Sequence, residues 1–242
     1  MNSFEKAIID GMKTTIRDYI SFKGPDHENE WSKPEYLATL NIAKSITRFN
    51  SYPAEKIIIA IEENTSSFSN ACVPQNFTDI YNNEFKSFNT DRNGKIDIAV
   101  YETYKKKPIC TIEVKNFNPQ DSVLILDLQR NAQYFTFQAK HNISIIQKTY
   151  VAYFKHYSDT HTIDGMQNDL TKAKNDLDQI IQKAKIDTSY LSIRIEAETI
   201  HENLLYSEKY SAEEIINDTG DFYANAVHFI GVLGIFERKL SI

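Results

Sequence analysis

Two runs of this chain put ionisable side chains where a strand normally carries apolar ones. Residues 95–101 read Lys-Ile-Asp-Ile-Ala-Val-Tyr, and residues 108–115 read Pro-Ile-Cys-Thr-Ile-Glu-Val-Lys. Asp97 is set between Ile96 and Ile98, and Glu113 and Lys115 alternate with Ile112 and Val114. Side chains two apart in a strand share a face, so Glu113 and Lys115 point the same way. A hairpin closed through residues 104–107 sets Asp97 beside Glu113. Two carboxylates held that close repel unless a cation separates them, and their oxygens suit a hard ion such as Mg²⁺ or Mn²⁺. The chemistry this predicts is metal-assisted hydrolysis with an ammonium at hand.

The segments Gly94-Lys-Ile-Asp97 and Glu113-Val-Lys115 resemble the paired motifs of the PD-(D/E)XK nuclease superfamily, over residues 34–157. The resemblance implies a restriction-endonuclease-like fold and hydrolysis of phosphodiester bonds, in DNA ahead of RNA. It makes Asp97 and Glu113 the ligands of Mg²⁺ (or Mn²⁺), with the main-chain carbonyl of Val114 as a third. Lys115 would orient or help deprotonate the attacking water and stabilise the transition state. Partial desolvation beside a cation lowers a lysine pKa, which favours that role. Many members carry a Glu on the preceding helix, and Glu35 holds that place; Glu62, with Glu63 behind it, competes. Some branches place Gln-x-x-x-Tyr on the following helix. Here Gln129 and Gln133 lie four apart, and Tyr134 falls one residue off that spacing. Lys95, Arg92, Arg130, Gln129 and Gln133 are the candidate nucleic-acid contacts. The alternative is a catalytically silent nuclease-fold module that binds nucleic acid or a partner protein.

The elements that must position these residues follow from period and punctuation. Residues 1–22 repeat apolar side chains at helical spacing, and residues 23–30 are a polar break. Ser32, Pro34 and Glu35 start a second helix, Ser32 as N-cap and Glu35 as its capping-box partner. Residues 56–62 form a β-branched strand, and residues 64–93 read as an inserted loop with at most one short element. After the two motif strands come a helix over residues 122–139 and an aromatic strand over 148–157. The order is the αβββαβ core of the resembled family, an α/β fold with a central mixed sheet flanked by helices. Beyond it, residues 164–185 read as a helix, 190–200 as a strand and 211–239 as helical, an α-β-α extension. The expected division is an N-terminal helix and linker (1–31), a nuclease-like core (32–158) and an acidic extension packed on it (159–242).

Composition narrows the partners. The chain has 242 residues and a formal net charge of −6, which argues against coating nucleic acid by bulk electrostatics. The first 158 residues are nearly neutral and the remainder supplies the excess acid. A basic groove can still be built locally from Lys86, Arg92, Lys95, residues 105–107, Arg130, Lys140 and Lys148. The apolar run 222–236 reads as core or as a helix for a homodimer or partner subunit; it is too short and polar to span a bilayer. No secretory signal or Cys framework is visible, so a cytoplasmic protein without membrane association is expected. The six histidines show no paired spacing for zinc, and no GxxxxGK[ST] loop points to ATP.

Overall fold

Asn2 and Glu5 fix the start of the first helix, α1 (Ser3–Phe22). The Asn2 main-chain N–H donates to Glu5 Oε2 at 2.8 Å and the Glu5 N–H donates to Asn2 Oδ1 at 2.9 Å. This reciprocal cap satisfies donors that a helix start leaves open. The structure, a computed structural model, describes residues 1–22, 35–50, 57–72, 94–103, 107–135, 144–158, 160, 162–203 and 227–239. Ala7, Ile8, Met12 and Ile16 are buried along α1 and pack on Ala38, Ile42 and Ile46 of α2 (Glu35–Ile46). The helices cross where a Cβ on Gly11 would lie 2.5 Å from the Ile42 Cα, so the approach is open only to glycine.

Among the described residues six strands form one mixed sheet: β1 (Ile57–Asn64), β2 (Lys95–Glu102), β3 (Pro108–Phe117), β4 (Lys148–Ser158), β5 (Leu191–Asn203) and β6 (Val227–Arg238). Their order is β1-β2-β3-β4-β6-β5. Only β3 and β4 run parallel; the other neighbours are antiparallel. A parallel pair needs a crossover, and α4 (Asp121–Gln133) lies within it. The sheet is covered on both faces. The α1–α2 pair packs on one face with Ile98, Val100, Ile112 and Val114. On the other, Leu124 and Leu128 of α4 and Ala173 and Leu177 of α5 (Ile163–Ala184) pack with Val151 and Tyr153. A short helix, α3 (Thr65–Ala71), sets Phe68 edge-on to Tyr134, 5.4 Å between centroids.

The final element corrects the sequence reading. Residues 227–238 are a strand where a helix was expected, and residues 211–226 of that expected helix lie outside the described residues. Every residue from His228 to Phe236 is buried, since β6 lies between β4 and β5 under helices on both faces. Such a strand carries an unbroken apolar run, which periodicity cannot tell from a buried helix. Its apolar side chains belong to the protein's own core, so they do not form the partner-binding helix that residues 222–236 suggested; 222–226 lie outside the described residues. No described helix is long and apolar enough to cross a membrane.

Candidate active site

The β2–β3 pairing carries the first two acids. Ile98 faces Ile112 in antiparallel register at the end of the paired ladder, and Asp97 and Glu113 are the next residues of their strands. The Val114 N–H donates to Asp97 Oδ2 at 2.7 Å, which fixes that carboxylate against β3. Regular alternation fails at this point: Ile96 packs on the α4–α5 side and Ile98 on the α1–α2 side. Opposite Asp97 on β1, between the pairs Ile61–Ile98 and Glu63–Ile96, Glu62 has a φ of 57°. A left-handed backbone at a residue other than glycine costs of order 1–3 kcal/mol and collects at functional sites.

Lys115 stands among three acids. Its Nζ lies 3.5 Å from Asp127 Oδ2, 3.6 Å from Asp97 Oδ2 and 3.7 Å from Glu35 Oε1. It also donates to the Val114 carbonyl at 2.9 Å. Glu113, on the same face of β3, is 1% exposed, and its Oε1 has no hydrogen-bond partner. The nearest cation to that oxygen is Arg130 Nη1, 3.9 Å away. Arg130 also donates to Asp127 Oδ1 at 3.2 Å. The seat of α4 on β3 is fixed by Asn131, which accepts from Thr111 Oγ1 at 3.2 Å and donates to the Asp127 carbonyl at 2.9 Å.

These distances set the protonation states. Burial, then the charges of Asp97 and Asp127, push the Glu113 carboxyl up to about 8, against the pull of Lys115 and Arg130. Burial also raises Glu35 and Asp127, although Lys115 opposes it in both. For Lys115 itself burial lowers the pKa, but Asp127, Asp97, Glu113 and Glu35 outweigh it and the net shift is upward. The expected lowering is thus reversed: the carboxylates hold Lys115 as an ammonium.

The other predicted residues distribute unevenly. Glu35 enters the cluster from the first turn of α2, whereas Glu62 turns out to Lys95, 3.3 Å away. Lys95 is exposed at the start of β2. Gln129 donates to the Ala184 carbonyl at 3.0 Å, tying α4 to the end of α5, and Gln133 is exposed in the last turn of α4. Lys148, a groove candidate, is engaged by Glu237 and by Glu5 on the far side of β4. Arg92, Lys86, Lys105, Lys106 and Lys140 lie outside the described residues, as do Ser32 and Pro34. Asp127 was missed. The available signal was its place on the core-facing stripe of α4, with Leu124, Leu128 and Asn131, where a carboxylate needs a partner.

Asp97, Glu113 and the Val114 carbonyl offer only hard oxygen donors, and Glu113 Oε1 is a buried acceptor left open. That chemistry fits a hard divalent cation. As the side chains stand, no three His, Cys, Asp or Glu among the described residues enclose a metal position. The Lys115 ammonium stands among the acids. Comparisons with family profiles, with curated proteins and with solved structures gave no match.

Proposed function

We propose that the protein is a Mg²⁺- or Mn²⁺-dependent nuclease with a restriction-endonuclease-like αβββαβ core, cleaving phosphodiester bonds in DNA ahead of RNA. The observation that carries this reading is Glu113: a carboxyl group 1% exposed, with an oxygen unpartnered, beside Asp97, Asp127 and Lys115. A protein built for stability alone would not leave a buried acid uncompensated next to two others. The helix, three strands, helix and strand from α2 to β4 follow the order the resembled family implies, with α3 added.

When bound, a divalent cation lowers the pKa of a water and polarises a phosphate. Asp97, Glu113 and the Val114 carbonyl would hold it, and Glu35 would complete the acidic set from α2. The Val114 N–H keeps Asp97 Oδ2 oriented. Lys115, held as an ammonium, supplies positive charge to phosphate oxygens as the transition state forms, and orients the attacking water by donating to it. It is therefore an electrostatic and orienting group, and proton removal from the water falls to another base. Arg130 and exposed Lys95 supply charge for the flanking phosphates. Cys72 and Cys110 are both buried, which fits a reducing, cytoplasmic setting. Defence, mobile-element turnover and repair are the roles such nucleases serve.

The test is incubation of the purified protein with linear, circular and single-stranded DNA, and with RNA, in Mg²⁺, Mn²⁺ or EDTA. Cleavage of DNA that EDTA stops and that Lys115→Ala abolishes, with DNA binding kept, is the expected result. Binding without cleavage on every substrate would leave the silent module as the better reading.

A further inference from the structure

Asp127 stands in the cluster without a part in the chemistry above. It is 4% exposed, comes from α4 and not from the motif strands, and has its two oxygens turned to different cations. Oδ1 takes the hydrogen bond from Arg130, and Oδ2 lies 3.5 Å from Lys115 Nζ with no hydrogen-bond partner. The ammonium in turn occupies atoms that the proposed cation needs, because it donates to the Val114 carbonyl and lies 3.6 Å from Asp97 Oδ2. Like charges a few ångströms apart inside a protein repel strongly, so ammonium and divalent ion cannot share these oxygens. Once the ion is seated, Lys115 must give up Val114 and Asp97 yet stay near the reacting phosphate. Glu35 can hold it only weakly, because that side chain is 38% exposed and screened by water. Of the two acids within reach that lie off β2 and β3, Asp127 is the buried one.

We propose that Asp127 is a positioning residue, the counter-ion that keeps Lys115 in the site while a divalent cation takes Asp97, Glu113 and the Val114 carbonyl. It acts through Lys115 and is not a ligand. The inference rests on the reading that those three groups hold the cation. The lysine thus competes with the ion, and Asp127 relieves the competition.

The experiment is a double-mutant cycle on Mn²⁺ binding, read by titration calorimetry and by the electron paramagnetic resonance signal of free Mn²⁺, with no nucleic acid present. Lys115→Met should bind Mn²⁺ about tenfold tighter than the parent, about 1.4 kcal/mol. Asp127→Asn should bind it about tenfold more weakly, because Lys115 then rests on Asp97 and Val114. In the Lys115→Met background the same Asp127→Asn change should cost less than about threefold, since the ammonium it served is gone. An equal loss in both backgrounds would make Asp127 a ligand or a general source of charge and overturn the inference. So would weaker binding in Lys115→Met. Thermal melts check that each variant folds, and Asp127→Ser repeats the cycle if the amide variant does not. Asp97→Asn is measured alongside. If it leaves Mn²⁺ binding unchanged, the cation reading itself falls; if it abolishes binding while the cycle shows no coupling, only the role of Asp127 falls.

Discussion

Glu5 and Glu113 are the same residue, equally buried at 0% and 1% exposure, in opposite electrical states. Glu5 accepts from Asn2 N–H and Nδ2 at 2.8 and 2.9 Å and from Arg194 Nη2 at 2.8 Å, with Lys148 Nζ at 3.6 Å. Burial raises its pKa, but the Asn2 hydrogen bond, Arg194 and Lys148 overcome that and the net shift is downward. Glu113 has one cation at 3.9 Å, two acids beside it and an oxygen with no hydrogen bond, and it is pushed up to about 8. Glu5 closes a helix cap and ties α1 to β4 and β5. At Glu113 the pull of Lys115 and Arg130 does not offset burial and the two neighbouring acids. Burial of an acid therefore says little about function; what matters is whether its charge is compensated.

Exchanging each acid for its amide tests the contrast most severely. Glu113→Gln should cut the cleavage rate at least about a hundredfold while leaving the metal-free melting temperature at pH 8 unchanged or higher. Glu5→Gln should leave the rate of the folded protein unchanged and cost about 1–3 kcal/mol of stability, because the Asn2 and Arg194 donors lose a charged acceptor while Glu196 and Glu237 still pair Arg194 and Lys148. Rates and chemical denaturation of both variants decide it, and a catalytic loss at Glu5 or a stability loss at Glu113 would break the comparison.

The two acids should also give opposite pH dependence to the metal-free protein. The folded Glu113 carboxyl titrates near 8 against an ordinary 4.5, so the folded state holds the extra proton between those values. Its contribution is full below about 4.5 and is lost as pH rises towards 8. Glu5, lowered, contributes above its ordinary value and loses that contribution as pH falls through its folded value. Urea titrations in EDTA should show stability falling from pH 5.5 to pH 8 by an amount that Glu113→Gln removes. A slope that survives in that variant would assign it to other groups.

A second acid pair refines the rule at smaller scale. Glu35 faces Lys115 inside the cluster and Glu62 faces Lys95 at the surface. Glu35→Gln should slow cleavage by about tenfold, beyond what a helix-terminal defect of about 0.5–2 kcal/mol would do to a folded enzyme. Glu62→Gln should change the rate less than about twofold. A normal rate with a lowered melting temperature for Glu35→Gln would make that residue purely structural.

The smallest effect separates two lysines. Exposed Lys95 should contribute one phosphate contact, and Lys95→Ala should lower the slope of log affinity against log salt by about 0.9 on duplex DNA. Lys148→Ala should leave that slope intact, since Glu5 and Glu237 already hold its ammonium. Fluorescence anisotropy across a salt series measures both.

What the sequence made visible follows from the range of each signal. Asp97, Glu113 and Lys115 were legible because strand alternation is local and a charge among Ile and Val violates it. Glu35 was legible as a helix start, though its approach to Lys115 depends on how α2 lies on the sheet. Asp127 stayed hidden because a helix surface tolerates Asp, and only the burial of that face makes its charge expensive. The direction of the Lys115 shift was hidden with it, since it depends on how many acids converge. The strand at residues 227–238 was misread because its neighbours β4 and β5 cover both edges and helices cover both faces, which erases the alternation.

The place of that strand has a consequence for the order of assembly. β6 lies between β4 and β5 but follows both in the chain. During synthesis every element that carries the site, from α2 to α4, leaves the ribosome before the strand that completes the sheet beside β4. Until it arrives, β4 presents a long apolar edge of unpaired N–H and C=O groups, a template for pairing with other chains. The nascent protein thus passes through a window in which its acids are in place and its sheet is open. Chaperone dependence and aggregation should therefore track the delay before residues 227–238 emerge.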